Sequence, residues 1–405
     1  MKILVVLPRF PYPLEKGDKL RAFHQIEYLS KSNEVHLFCV SHSKVAPADV
    51  DKLRPYCASI RIVQLNRLVC CKNVVRNFFY SKSLQIGYWD SQKSRSAFKA
   101  YEREVQPDVI YSQMVRTMPL VSRSLVPKVM DFQDALSMNT ERRMDTVRRG
   151  FWHWALHYEF KMLRSSEYNA FKIFDDLVII SEVDSEAVPR RKNADIQVVP
   201  NGVDFDYYKP IQMSKEYDLV FCGNMQYGPN VDAAHKLVSD VMPIIWQKHP
   251  QARLLIAGAS PKASIRSLAS DRVIVSGWVD DIRQCYAQAK VFAAPMNMGS
   301  GLQNKLLEAM AMQIPCVTTS IANDSLGAQP ESQVLIGDER QQFADQVIRL
   351  LDDEALRHQI ALSGHEFVKH HYDWNVFGAK LEGILANVAQ HPSKVSLEPS
   401  PSKHL

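Results

Sequence analysis

No stretch of the 405-residue sequence holds the 18 or so unbroken apolar residues of a membrane-spanning helix. The opening segment MKILVVLPRF has one lysine and a short apolar run before a proline, too little for the apolar region of a signal peptide. It reads as a buried first strand, and the chain as soluble or attached only at a surface. Cysteine is sparse: the seven residues (39, 57, 70, 71, 222, 285, 316) are odd in number and show no zinc-type spacing. Reduced thiols in a cytoplasmic protein are therefore expected. The formal charge of +5 is small for the length, and the dense basic runs of a nucleic-acid binder are missing. No GxGxxG follows the first strand and no Walker-type lysine is present, which leaves the common dinucleotide and P-loop readings weak. The 13 histidines, His365, His370 and His371 among them, never fall into HExxH or another metal-ligand spacing. No DxD pattern stands out, and Asp280-Asp281 and Asp352-Asp353 read as loop and helix-cap acids. Neither a metal nor a cofactor is expected.

What is present is a globular composition, 46% hydrophobic and 23% charged, in a chain too long for one ordinary core. Short β-prone runs alternate with amphipathic helical stretches. KILVVL is followed by a helix over 19–30, then EVHLFCV, SIRIVQL, DVIYSQ, PKVMDF, DLVIIS and DIQVVP. The pattern restarts with YDLVFCG, a helix over 230–248, then ARLLIAG, RVIVSG, AKVFAAP, IPCVTT and QVLIG. Such alternation is the sequence form of parallel sheets covered on both faces. The fold class expected is α/β, with two doubly wound Rossmann-like domains facing across a cleft. The domains are expected at 1–210 and 211–390, with the last helix crossing back to the N-terminal domain. The Pro/Ser/Lys-rich tail 391–405 has little to bury and is expected to be disordered.

One segment departs from this alternation. Leu68–Trp89, LVCCKNVVRNFFYSKSLQIGYW, mixes basic residues with a dense apolar-aromatic set. Two readings stand side by side: a surface that lies on an anionic membrane, or aromatics filling the N-terminal core beneath solvated lysines.

The chemistry concentrates in NMGSGLQNKLLEAMAMQIPCVTT, 297–319. Gly299 and Gly301 follow one strand and precede a helix over 303–312, at the carboxyl end of a parallel sheet. Backbone N–H groups and the positive end of the helix dipole gather there, and missing side chains let an anion approach. Lys305 and Glu308 share one face of that helix. A lysine in the first turn adds a full positive charge toward a phosphate, and a carboxylate one turn on accepts from paired hydroxyls such as those of a ribose. The pair describes a nucleoside diphosphate lying along the helix start.

GSGLQNKLLEAMAMQIPCVTT resembles the signature helix of the family 4 retaining glycosyltransferases, whose architecture is GT-B, two Rossmann-like domains. VVPNGVDFDYYKP is similar to their interdomain hinge, FCGNMQYGPNVDA to the glycine loop opening their second domain, and LLIAGASP and VSGWVDDI to their next two strand ends. PRFPYPLEKGDKLRAFHQIEYLSKSNEVHLF resembles their N-terminal glycine loop and first helix, so the likeness runs from residue 1 to about 380. The QNKLLEAMAM and DFQDALS variants are most like the exopolysaccharide- and exosortase-associated subgroup.

The resemblance implies a donor-binding set of Gly17, Gly223, Asn224, Gly299, Ser300, Gly301, Leu302, Gln303, Asn304, Lys305 and Glu308. Glu308 takes the place of the family's ribose-binding glutamate and Lys305 that of its diphosphate-binding lysine. The family's first glutamate is replaced by Ser300, which carries no charge, and the arginine after its second glycine loop is replaced by Asn224, with Gln226 nearby. A basic substitute is sought in Lys19, Arg21, Arg142 or Arg143, between which the sequence does not choose. On the acceptor side, Gly17 and Asp18 open a helix, and Asp131 and Asp134 lie just past a strand end. Asp134 either orients or deprotonates an acceptor hydroxyl or caps the next helix. Asn201 and Gly202 read as a hinge turn, with Asp204 capping the residues after it. Glu159 and Glu167 sit in a helical stretch over 151–174 whose aromatic stripe reads as packing.

The resemblance thus implies a metal-independent hexosyltransferase that moves a sugar from a nucleoside diphosphate to a hydroxyl, with Asp134, Lys305 and Glu308 as its catalytic set. Its partners would be a nucleotide sugar and a glycan or lipid-linked glycan, with no nucleic acid. Its place would be the cytoplasm or the inner membrane face, with 68–89 as the segment whose composition allows a membrane contact. A nucleotide-sugar epimerase, and a nucleotide-sugar-binding protein without catalysis, remain as alternatives, the second prompted by Ser300.

Overall fold

The computed structural model describes residues 1–391 other than 15, 81, 146, 193 and 298–301. The expected disordered tail therefore lies outside the described residues, apart from His391. The chain divides into two compact units, Met1–Val199 with Gly378–Leu405, and Pro200–Phe377.

The first unit is built on β1 (Lys2–Leu7), β2 (Glu34–Ser41), β3 (Ser59–Gln64), β4 (Val109–Gln113), β5 (Lys128–Asp131), β6 (Asp176–Ile179) and β7 (Gln197–Val198). Their order is β3-β2-β1-β4-β5-β6-β7, with every pairing parallel. β4 is buried along its whole length and β1 from Ile3 onward, as expected of central strands covered on both faces. Phe38 of β2 packs edge-on against Phe98 at 5.5 Å, from the helix Gln92–Val105 lying on one of those faces.

The second unit repeats the design with β8 (Tyr217–Cys222), β9 (Leu254–Ala257), β10 (Val273–Gly277), β11 (Ala289–Ala294), β12 (Cys316–Thr318) and β13 (Leu335–Ile336). The order is β10-β9-β8-β11-β12-β13, again parallel throughout. In each unit the chain winds outward one way and then returns to the other side of its first strand. The switch lies between β1 and β4 in the first unit and between β8 and β11 in the second. Ligands of open parallel sheets bind outside the carboxyl ends of the strands at this switch. The fold class is thus α/β with two doubly wound Rossmann-like units.

The observed division differs from the expected one. It falls at Val199/Pro200 rather than after residue 210, because the hinge-like segment is already tied into the second unit. The Val203 amide donates to the Tyr372 carbonyl at 2.7 Å, and Asn201 Nδ2 donates to Asn304 Oδ1 at 3.1 Å. The helix expected over 230–248 is interrupted: Gly228–Lys236 runs through a π-helical turn, Leu237–Val241, into Met242–Lys248. Pro243, at the start of the last segment, has no N–H to continue the regular ladder. The last helix, Trp374–Gln390, passes at Gly378 from the second unit to the first. There Asn33 Nδ2 donates to Glu382 Oε1 at 2.6 Å, and Lys380 Nζ donates to the Val198 carbonyl at 2.8 Å.

Candidate active site

In the second unit β8 delivers Gly223 and Asn224 to the sheet edge. Gly258, following β9, has φ +136°, and a Cβ there would lie 1.9 Å from the Gly223 carbonyl oxygen, so only glycine lets the two loops pass this closely. The Asn224 Oδ1 is taken up within its own turn, accepting from the Gln226 amide at 2.9 Å. Gly299, Ser300 and Gly301 lie outside the described residues. Asn297, which leads into them, is gripped by the helix Gly228–Lys236: Lys236 Nζ donates to its Oδ1 at 2.7 Å, and its Nδ2 donates to Asp232 Oδ2 at 3.3 Å.

The signature helix spans Asn304–Ala311, with Gln303 as its unsealed N-cap and Leu302 buried just before it. Leu306, Leu307 and Met310 point its apolar side inward, which leaves Lys305 and Glu308 half-buried on another side. Lys305 Nζ donates to Gln303 Oε1 at 2.8 Å and lies 5.7 Å from the centre of the Phe221 ring at the end of β8. Burial pushes its amine down to about 8, against the opposing pull of Glu308 and Cys222. Glu308 Oε2 accepts from the Tyr286 hydroxyl at 2.8 Å, and Tyr208 also hydrogen-bonds this carboxylate. Burial first, and then the Glu308 charge, push both phenols well above their ordinary range, so both remain donors.

Sequence reading missed three supports of this site. Tyr208 comes from the hinge-like segment and Tyr286 from the short helix Ile282–Ala287, far from Glu308 in sequence. Asn201, read there as a turn residue, is buried and holds the first residue of the signature helix through Asn304. The expectation for Asp204 matches its geometry, since its Oδ1 accepts from the Asp206 and Tyr207 amides at 3.0 Å.

In the first unit Gly17 begins the helix Gly17–Leu29 and Asp18 occupies its first turn. Arg21 and Asp131 do not reach a ligand surface, which corrects the expectation of Arg21 as a substitute basic partner and of Asp131 as an acceptor-side carboxylate. They are 1% and 0% exposed and form an ion pair at 2.7 Å, joined on the same carboxylate oxygen by the Tyr111 hydroxyl at 2.5 Å. A buried pair of this kind is tolerated only when its remaining hydrogen bonds are made. The Gln133 amide closes Asp131 Oδ1 at 2.8 Å, while Gln25 and Gln113 extend the network. This core locks the carboxyl ends of β4 and β5 against the first helix.

Asp18, Lys19 and Asp134 remain at that end of the sheet. Asp18 pairs with Arg9 at 2.9 Å, and Lys19 Nζ donates to the Tyr12 carbonyl at 3.4 Å. Asp134 is not the cap of the helix Leu136–Asp145. The Ala135 amide goes to Asp184 at 3.1 Å and the Ser137 amide to Glu167 at 2.9 Å, while Asp134 accepts from the Asn139 side chain at 2.9 Å. Burial and then the Asp184 charge raise the Asp134 carboxyl to about 6, with Arg116 opposing. Arg116, just beyond β4, is a further cation at this edge that sequence reading did not single out. It is held by Gln85 Oε1 at 2.7 Å and feels Asp18 and Asp134. Arg142 and Arg143 lie exposed on the helix Leu136–Asp145.

Glu159 and Glu167 are structural carboxyl groups at helix starts, and burial raises that of Glu167 to about 7. Glu159 accepts from Ser83 Oγ and from the Leu84 and Gln85 amides at 2.6, 2.7 and 3.1 Å, whereas Glu167 holds Ser137. Among the described residues no group of three or more His, Cys, Asp or Glu side chains is placed to hold a metal ion.

Residues 216–353, which contain the signature helix and the Gly223 loop, match the family described as Glycosyl transferases group 1. Over 400 residues the chain is 23% identical to a 44.6 kDa protein of the cps region of Klebsiella pneumoniae, covering 92% of this chain and 96% of that one. Its fold is similar to sucrose-phosphate synthase from Thermosynechococcus elongatus, with TM-score 0.71, 14% identity and coverage of 96% and 98% of the two chains. It is likewise similar to Anabaena HepE, solved with UDP and glucose, with TM-score 0.68, 13% identity and coverage of 95% and 99%. These likenesses establish the fold as GT-B.

Proposed function

We propose that the protein is a retaining, metal-independent glycosyltransferase of the family 4 type, moving a hexose from a nucleoside-diphosphate sugar to a hydroxyl. The observation that carries this reading is the half-buried Lys305–Glu308 face at the β8/β11 switch, with the amine steadied by Gln303 and the carboxylate by Tyr286. In this reading Glu308 accepts from the ribose hydroxyls, while Lys305, Gln303, Asn304 and the neighbouring amides receive the diphosphate. As the bond from the sugar's anomeric carbon to the diphosphate breaks and the acceptor oxygen bonds to that carbon, negative charge grows on the leaving group. Lys305 and the helix start stabilise that charge, which is the main task of such a site. Asp134, with a carboxyl raised to about 6, is assigned to the acceptor hydroxyl, whose proton it takes as the new bond forms, with Asp18 and Arg116 as its neighbours in the first unit.

The UDP and glucose bound by the Anabaena protein support a nucleotide-sugar donor, and the cps-region relative supports a role in exopolysaccharide or other cell-surface glycan assembly. The acceptor is then a glycan or lipid-linked glycan, and the enzyme works in the cytoplasm or at the inner membrane face.

The test is a thermal-shift titration with UDP, GDP, ADP and CMP on the wild type, Lys305→Ala and Glu308→Ala. A nucleotide at a hundred times its Kd adds about 2.7 kcal/mol, enough to raise Tm by about 5 °C or more. Stabilisation by one nucleotide that shrinks in both variants is expected and names the base. Silence from all four nucleotides and from their sugar derivatives overturns the donor site.

A further inference from the structure

The helix Arg67–Phe79 of the first unit is turned inside out for a helix facing water. Its buried positions are Cys70, Asn73 and Asn77. Its large apolar residues face outward, with Leu68 71% and Phe79 78% exposed, and Val75 and the adjoining Tyr80 exposed as well. A helix that meets solvent ordinarily does the reverse. The inward Asn77 is closely packed: a Cβ on Gly87, in the helix Leu84–Trp89, would lie 2.6 Å from the Asn77 Cβ. The two readings of 68–89 thus divide along the chain. Ile86 and Trp89 join the core, and the segment 68–80 carries the outward apolar face.

A second helix, Phe151–Ala170, completes that face. Its stripe of Glu159, Leu163, Glu167 and Ala170 is buried, while Phe151 and Trp152 in its first turn are 70% and 72% exposed. The Phe78 ring lies 6.0 Å from Trp154 and 5.2 Å from Tyr158, and Phe151 lies 6.0 Å from Trp154. The Tyr158 hydroxyl donates to the Phe78 and Lys82 carbonyls at 3.3 and 3.1 Å, pinning the two segments together. The exposed aromatics therefore form one continuous surface, which marks an interaction site.

The exposed charge on this surface is basic, with Arg76 paired at its edge to the largely buried Asp90 at 3.9 Å. Segment 67–82 contains Arg67, Lys72, Arg76 and Lys82 and no aspartate or glutamate. Arg148 and Arg149, both exposed, immediately precede the aromatic turn, and the only acid of segment 147–164 is the buried Glu159. A second copy meeting this face through a twofold axis would bring like charge against like charge. A partner with dispersed negative charge over an apolar layer fits both properties.

We propose that this two-helix surface docks on the headgroup region of a bilayer containing anionic phospholipid. Phe79, Phe151 and Trp152 enter the interface, and the flanking arginines and lysines lie at the phosphates. Among the described residues no helix is long and apolar enough to cross a membrane, so the contact is peripheral. The inference does not depend on the transferase reading, since its readout is lipid binding.

The test is co-sedimentation of the purified full chain with vesicles of phosphatidylcholine alone and of phosphatidylcholine mixed with phosphatidylglycerol. Binding only to the anionic vesicles, weakened by added salt, is the expected result. The double variant Phe79→Ser/Trp152→Ser, and separately Arg148→Glu/Arg149→Glu, should each lower the bound fraction about tenfold. All four side chains are exposed, so an unchanged Tm and an unchanged nucleotide titration separate lost docking from lost folding and from failure of the donor site. Failure to bind anionic vesicles, binding that both variants leave intact, or self-association abolished by the Phe79/Trp152 variant would overturn the proposal, the last in favour of a second copy.

Discussion

Lys305 shows how one side chain ties fold to function. Placed on the helix Asn304–Ala311 beside β8, its amine falls from its ordinary 10.5 to about 8, chiefly through burial. Between those values the unfolded chain binds more protons than the folded one, so this group's contribution to stability rises as pH climbs from about 8 toward 10.5. Below about 8 the full cost of desolvating the charged amine is present. A bound diphosphate favours the charged form, so its affinity should be greatest below about pH 8 and weaken above it. Calorimetric titration with the stabilising nucleotide should show Kd rising by up to about tenfold per pH unit on that alkaline limb. Lys305→Arg, which stays charged, should flatten the limb. A limb of equal steepness in the arginine variant would remove Lys305 from the diphosphate site. The spacing of Lys305 and Glu308 was legible in the sequence because one helix carries both. Tyr208, Tyr286 and Arg116 were not, because their neighbours at the site are distant along the chain.

At the scale of elements, every strand of both sheets coincides with a β-prone run readable in the sequence. The central strand β1, buried from Ile3 onward, is continuously apolar over that length, whereas the edge strand β3 is not. Helix packing was less legible. The helix Arg67–Phe79 has the composition of a core element, yet it turns Asn77 inward against Gly87. Gly87→Ala should force those helices apart and cost about 1–3 kcal/mol, seen as a lower urea midpoint with an unchanged m-value. An unchanged midpoint would mean that the contact yields without cost. The inward pair Arg21–Asp131 makes the same point in polar form. An arginine and an aspartate at a sheet edge read as ligand groups, but their separation of 110 residues conceals that they neutralise each other.

For the whole molecule, the chain crosses between its units twice, at Val199/Pro200 and at Gly378. The first unit therefore depends on the far end of the sequence, through Glu382 on Asn33 and Lys380 on the Val198 carbonyl. A chain ended at Phe377 should show faster hydrogen exchange at the β1 and β2 amides, with β8 and β11 retaining their protection. Equal protection of all four strands would show that the returning segment adds no stability to the first unit.

Sequence alone determined the two doubly wound α/β units, the signature helix and its Lys–Glu face, because apolar periodicity and helical spacing are local properties of the chain. Only the tertiary structure decided that Arg21 and Asp131 neutralise each other in the interior, that Asp184 and Glu167 rather than Asp134 hold the amides at one helix start, and that aromatics from two distant helices share one exposed face. Burial and partnership are set by which distant segments meet, and that depends on close packing of the whole chain.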